Sequence, residues 1–229
     1  MRPIELIVDR QINRWELERR GSQEVVEEAP RPGPIITISR QRGSGGSLVA
    51  TKLAELTGFS HVNREFIDQI SHEIGTQKRL VESLDESKRS GFQLWVDGII
   101  GGRIIDTSDY MHSLVKIIGA VTHHGKAILV GRGANFIARG DNAFHVRIVA
   151  DLEFRINTLI KRRNLTSEQA DHEIAENDRQ RKKFIESCFN RNIDDLTAYD
   201  MVINSTHLDV DKVANMILNA FPQKFANSD

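Results

Sequence analysis

Between Ile35 and Leu56 the chain reads IITISRQRGSGGSLVATKLAEL, which sets Gly43, Ser44, Gly45, Gly46 and Ser47 between an apolar, β-branched run and Leu48, Val49, Leu53 and Leu56 at helical spacing. A strand, a glycine loop and a helix start in that order turn successive backbone N–H groups inward, and the positive end of the helix dipole adds to them. Such a loop can hold phosphate. Ser47 stands where a Mg²⁺-coordinating hydroxyl is expected. Set against G-x-x-x-x-G-K-[ST], however, Arg40 occupies the place of the first glycine and Gly46 that of the lysine. The cations at hand to replace that lysine are Arg40 and Arg42. A plain glycine-rich turn is the alternative.

Two further arginine groups could serve the same chemistry. Gly131-Arg132-Gly133 follows the apolar run AILV, and ligands of open parallel sheets bind at the carboxyl ends of the strands, so Arg132 would face the crevice of the glycine loop. Otherwise it is a surface arginine in a turn. In NDRQRKK (177–183) Asp178 reaches Arg181 and Lys182 at i+3 and i+4, the pattern of a self-satisfied, solvated helix. Held over a crevice, the same helix would let Arg179 and Arg181 clamp a phosphoryl group in transfer, where planar guanidinium forks neutralise developing charge and closure excludes water.

The elements that must position these groups alternate along the chain. Segments 35–39, 127–131, 144–150 and 200–204 are strand-like, with 59–62 a weaker fifth, and the stretches between them carry helical patterns. That alternation predicts an α/β fold with a parallel five-stranded sheet covered on both faces. The interval 63–126 reads as several inserted helices, broken at glycines 91, 98, 101 and 102. Asp151 is placed to cap a helix with Leu152, Ile156, Leu159 and Ile160 on one face and Arg155, Arg162 and Arg163 elsewhere. A second helix follows from a capping box, Thr166 to Gln169, and an amphipathic closing helix spans 209–221. Ahead of all this, Ile4, Val8, Ile12 and Trp15 make one apolar stripe over 4–17, followed by a connector with Pro30, Pro32 and Pro34. The expected organisation is therefore 1–34 as helix plus connector, 35–221 as the main domain and 222–229 as a tail. The leading helix either docks on its own domain or forms a homodimer contact.

Composition narrows the function classes. With 229 residues, a formal net charge of -1 and no basic stripe interleaved with aromatics, a nucleic-acid-coating role is disfavoured. No apolar run approaches a membrane span, and the mixed-charge N-terminus does not read as a secretory leader. Cys188 is the single cysteine, so no internal disulfide can form and a reducing, cytoplasmic setting is expected. His123 and His124 adjoin, yet no metal-ligating spacing is present.

In chain order, ITISRQRGSGGSLVATKLAEL, NREFID, ILVGRGANFI, VADLEFRI, NDRQRKKF and YDMVINST resemble the nucleoside monophosphate kinases, most closely the cytidylate kinase-like group, over 35–221. The resemblance implies a three-layer P-loop kinase fold with a helical acceptor-binding insertion and an arginine-bearing lid helix. It implies ATP with Mg²⁺ as donor and CMP or dCMP as acceptor. By position, Gly43 to Ser47 would hold the donor phosphates with Arg40, and Ser47 would meet the Mg²⁺. Asn63, Arg64, Arg132 and Asp178 would engage the acceptor. Arg179, Arg181 and Arg42 would act in transfer, with Arg155 supporting the lid. The chain departs from well-studied cytidylate kinases where Gly46 replaces the loop lysine and Val130 an aspartate before the Gly-Arg pair, and from the cytidylate kinase-like group where Ser47 and Leu48 replace Arg-Glu in the loop and Asn63 the aspartate of the acceptor segment. Two rivals follow: a nucleotide-binding regulatory or scaffold protein with a kinase fold, and a kinase for another small metabolite.

Overall fold

The computed structural model describes residues 33–84 apart from 72 and 73, then 92, 94, 96–101, 108–138 and 142–225, together with 9, 12 and 13. Five strands form one parallel sheet: β1 (Ile35–Arg40), β2 (Ser60–Val62), β3 (Ala127–Val130), β4 (Ala143–Val149) and β5 (Met201–Asn204), in the spatial order β2-β3-β1-β4-β5. The five segments expected from β-branched runs all pair. Strands covered on both faces carry continuous apolar runs, and β1 and β3 obey that rule with every residue of Ile35–Ile38 and Ala127–Val130 buried.

Side chains alternate across the sheet and so divide the core in two. Ile36, Ile38, Ile128 and Val130 pack with α1 (Gly46–Thr57) and α8 (Val210–Phe225) through Leu53, Val213 and Ile217. Ile35, Ala127 and Leu129 face the other layer, made by α2 (Arg64–Ser71), α3 (Ile74–Glu82), helical residues 96–101, α4 (Asp109–His124) and the short α5 (Ala134–Ile137). The architecture is the expected three-layer α/β sandwich, with the glycine loop joining β1 to α1 at the carboxyl edge of the sheet.

The insertion between β2 and β3 is helical, as its patterns predict, but its glycines differ from expectation. Gly98 and Gly101 lie within helical residues, and glycines 91 and 102 fall outside the described residues. Burial of Phe92, Val96 and Ile99 at spacings of three and four outweighs the weak helix propensity of glycine.

Two helices follow β4. Asp151 occupies the N-cap of α6 (Leu152–Arg163) without a side-chain cap bond. Of its expected apolar face, Leu159 is buried with Ile156 and Ile160 packed beside it, while Leu152 is 47% exposed and Arg155 is buried in addition. Thr166 and Gln169 complete both halves of a capping box at the start of α7 (Ser167–Phe189), 23 residues long. Leu159, Ala170 and Ile174 join α6 to the first half of α7, and Ile185, Cys188 and Phe189 insert the last turns into the main core. Behind that end, buried Arg147 donates to Ser39 Oγ at 2.9 Å and to Asp194 at 2.7 Å, tying the segment after α7 to the sheet.

The closing helix α8 runs four residues past the expected 221, to Phe225, where the Phe221 and Phe225 rings meet edge to face and Lys224 pairs with Asp200. At the other end, Asp9, Ile12 and Asn13 are helical, Ile12 packs on the main core, and Asp9 pairs with Arg79. These contacts place that part of the leading segment on its own domain; the rest of the expected 4–17 helix and the connector lie outside the described residues. No described helix is long and apolar enough to cross a membrane.

Candidate active site

The glycine loop begins where β1 leaves the sheet, with the Gln41 amide donating to the Ile148 carbonyl at 3.0 Å. Gly43 has φ +85°, and a Cβ there would lie 2.8 Å from the Arg155 carbonyl oxygen, so only glycine lets the loop rest on α6. Ser44 is buried and structural: its hydroxyl donates to the Gln41 carbonyl at 3.0 Å, and its own carbonyl accepts from Ser205 Oγ at 2.8 Å. Gly45 caps α1 and takes the bonds of Leu48 and Val49. The first-turn amides of Gly46 and Ser47 have no acceptor within the helix, and this is the end of α1 that favours an anion.

Arg40 runs from the end of β1 across this loop. A Cβ on Gly46 would lie 2.6 Å from Arg40 Cβ, and one on Gly131 would overlap Arg40 Nη1. The stem thus passes under the loop and the head reaches the β3 turn. Burial, and then the positive charge of Arg181, pull the Arg40 guanidinium down to about 9, and its Nε is buried without a partner. Both signs describe a cation lacking an anion.

The α7 helix docks onto the loop through Asp178. Its carboxylate accepts the Arg42 amide at 2.9 Å, pairs with Arg155, and lies 3.6 Å from Arg181 Nη1. Asp178 is therefore a hub between loop, α6 and α7, which goes beyond the i, i+3 pairing visible in sequence. Arg181 Nη1 also donates to the Arg40 carbonyl at 2.8 Å, and burial lowers its pKa despite Asp178. The Arg42 guanidinium is paired with Glu173, which also holds Arg163 at 2.8 Å. Arg179 is 64% exposed and paired with Glu176; it shares a separate hollow of about 220 Å³ with Arg40, Arg147 and Arg181, and does not line the cavity where Arg181 meets Ser47 and Arg64.

On the opposite wall, Arg132 is gripped by Asp68 through Nε and Nη2, and its guanidinium lies 5.8 Å from the Tyr110 ring centroid and 5.3 Å from that of Phe184. Tyr110 donates to Asp68 at 3.0 Å, and Arg64 lies 3.4 Å from the same carboxylate. Although burial alone would raise it, the Asp68 pKa is held down by Arg132; the Arg132 pKa is correspondingly raised against its own burial. Two of the forked donors are thereby fixed, leaving the Nη1 edge to face away from Asp68. Asn63 caps α2 by accepting the Phe66 amide at 2.9 Å.

These walls enclose a cavity of about 570 Å³ lined by Arg40, Ser47, Asn63, Arg64, Val130 and Arg181 among others. Beneath the Gly131–Gly133 turn it adjoins a chamber of about 210 Å³ with Arg132, Asn135 and Phe184, and beside the loop a groove of about 260 Å³. Arg40 and Arg181 line all three. Sequence reasoning passed over Asp68, Tyr110, Glu173 and Asn135, whose Nδ2 is buried without a partner. A signal for Asp68 did exist, four residues after Arg64 on one helix.

The turn depends on close approach. Gly133 has φ +65°, and a Cβ there would overlap the Phe189 ring, with Cζ only 2.6 Å away. We expect Gly133→Ala to cost about 2–4 kcal/mol, combining left-handed strain with overpacking, read as a lower urea midpoint at unchanged slope. A midpoint within experimental error of the parent would refute this packing.

For a Mg²⁺ ion, the described residues hold no cluster of three His, Cys, Asp or Glu. Mg²⁺ commonly keeps several waters and binds through phosphates and one or two protein oxygens. The Ser47 hydroxyl at the cavity wall fits that nucleotide-borne mode, and buried Val130 supplies no carboxylate from β3.

The cytidylate kinase-like family model matches residues 35–207. The cytidylate kinase of Methanocaldococcus jannaschii is 25% identical over 190 residues, covering 81% of this chain and 96% of that protein. The cytidylate kinase of Pyrococcus horikoshii is 25% identical over 178 residues, covering 77% and 82%. A solved structure of an uncharacterized protein from Eubacterium ventriosum superposes with a TM-score of 0.66 at 23% identity, covering 83% of this chain and 98% of that one.

Proposed function

The chain belongs to the cytidylate kinase-like family, and from that premise we propose that it transfers the γ-phosphoryl group of ATP to a nucleoside monophosphate, CMP or dCMP. The observation that carries this reading is the convergence of Arg40, Arg64 and Arg181 on one cavity between a glycine loop and the Arg132 turn. Binding ATP alone would need only the loop side. Four guanidinium groups spread over both walls suit two phosphate-bearing ligands brought end to end.

The acceptor phosphate is already ionised near neutral pH, so an oxygen of that group attacks the γ-phosphorus in line and ADP leaves, with no strong general base required. The protein contributes position and charge. Gly46 and Ser47 amides receive the donor phosphates. Arg132, held rigid by Asp68 and Tyr110, and Arg64 orient the acceptor phosphate. Arg181 bridges the two from the lid, which Asp178 and Arg155 hold against the loop. Mg²⁺ carried by the nucleotide at Ser47 would supply further charge neutralisation.

A second reading, a nucleotide-binding regulator, is favoured by Gly46 and Val130 and by the pairing of Arg42 and Arg179 with glutamates. Product analysis separates the readings. With Mg-ATP and a panel of AMP, GMP, UMP, CMP and dCMP, the expected outcome is formation of CDP or dCDP. ATP binding without transfer to any of the five would overturn the kinase reading in favour of the regulator, and transfer only to a non-nucleotide metabolite would move the chain to another substrate class.

A further inference from the structure

We infer that Arg40 and Gly46 are an exchanged pair, in which the cation that a phosphate loop ordinarily carries at the helix start reaches the transferring phosphate from the end of the preceding strand instead. The inference deepens the proposed kinase function and rests on it for the identity of the phosphates. Three observations carry it. In the alignment of 40–47 with G-x-x-x-x-G-K-[ST], the only two mismatches are these positions, a cation for a glycine and a glycine for a cation. The two sites share one volume, because any Cβ at Gly46 would sit 2.6 Å from Arg40 Cβ. At the far end of the side chain, Arg40 Nη1 fills the space that a Cβ on Gly131 would take, which sets the guanidinium against the turn after β3.

The route determines where the charge arrives. A lysine on the first turn of α1 would approach from the helix side of the loop. The Arg40 stem passes beneath Gly46 and its head lies against the Gly131–Arg132 turn, so the guanidinium stands at the boundary between the donor loop and the acceptor wall. Its buried Nε has no partner, and another cation, Arg181, lines the same cavity and donates to the Arg40 carbonyl at 2.8 Å. A phosphoryl group between the two walls would satisfy both. The planar fork can address oxygens on both sides of the transfer, which a point-charge ammonium addresses less well.

The test is a double-mutant cycle. Arg40→Gly with Gly46→Lys converts 40–47 to GQRGSGKS, which fulfils the phosphate-loop pattern. Arg40→Met, which keeps the stem and removes the charge, controls for the cavity left by glycine. ATP affinity, AMP affinity and turnover are measured on each variant, with thermal unfolding to confirm a folded chain. We expect Arg40→Met and Arg40→Gly to lower turnover about 100- to 1,000-fold and to weaken ATP about tenfold or more while leaving AMP unchanged. Gly46→Lys alone, forced against Arg40, is expected to lose ATP binding or fold stability. The double variant should regain at least tenfold over Arg40→Gly. Arg40→Met within threefold of the parent in both turnover and ATP affinity would overturn the inference, as would a folded double variant no better than Arg40→Gly. A parent that transfers to no acceptor, yet loses ATP affinity in Arg40→Met and recovers it in the double variant, would sink the kinase reading and leave the exchange standing.

Discussion

Arg181→Ala is expected to slow phosphoryl transfer about 100- to 1,000-fold while changing ATP affinity less than about tenfold, since removing one charged contact to a transition state costs roughly 3–4 kcal/mol. Arg181 is the α7 arginine that faces the volume in which we propose that transfer occurs. It lines the cavity with Ser47, Arg64 and Val130, and it is held there by the Arg40 carbonyl at 2.8 Å and by Asp178. Donor binding, in contrast, draws mainly on loop amides that the substitution does not touch. Arg181→Lys keeps the charge but loses the two-pronged geometry, so its rate should fall between alanine and the parent. Arg179→Ala supplies a comparison from the same helix: its guanidinium is paired with Glu176 and does not line the cavity with Ser47 and Arg64, and we expect a much smaller effect. Single-turnover rates and equilibrium ATP binding measured on the three variants decide the matter. Equal losses of rate and ATP affinity in Arg181→Ala would remove it from the transfer step.

Asp178→Ala should cost about 2–4 kcal/mol of stability by urea unfolding, as much as Gly133→Ala. The carboxylate answers a backbone amide and two guanidinium groups, and its removal leaves buried Arg155, whose Nε already lacks a partner, without its counter-charge. The side chain is 28% exposed, so water recovers part of the loss. Asp178→Asn retains an acceptor for the Arg42 amide and should cost less than the alanine variant. If both substitutions unfold at the parent's midpoint, the hub does not hold the lid to the loop.

Much of the scaffold was legible in the chain because local rules and tertiary packing agree there. The five strands, the loop between β1 and α1 and the capping box at Thr166 each follow from patterns a few residues long. Arg155 pairs with α7, as the family resemblance implies, but its burial was hidden for the opposite reason. On α6 an arginine reads as a solvent residue, and only Asp178, 23 positions later, makes its burial tolerable. The same limit hid the Arg132–Asp68 grip, whose partners are 64 positions apart and meet only once β3 and α2 are packed. Gly98 and Gly101 misled because breakers were given more weight than the buried stripe of Phe92, Val96 and Ile99. Contacts that tune charge across the fold leave the faintest trace in sequence, and the candidate site is made largely of such contacts.

The unbroken course of α7 has a mechanical meaning. Near its last turn Phe189 presses on Gly133 in the turn after β3, while Glu173, about 24 Å away at 1.5 Å per residue, clasps Arg42 in the glycine loop. A rod seated at one end is a lever. With Phe189 as the fulcrum, a tilt of only about 10° would sweep the Glu173 end through about 4 Å, so a small adjustment at the floor of one subsite is amplified at the rim of the other.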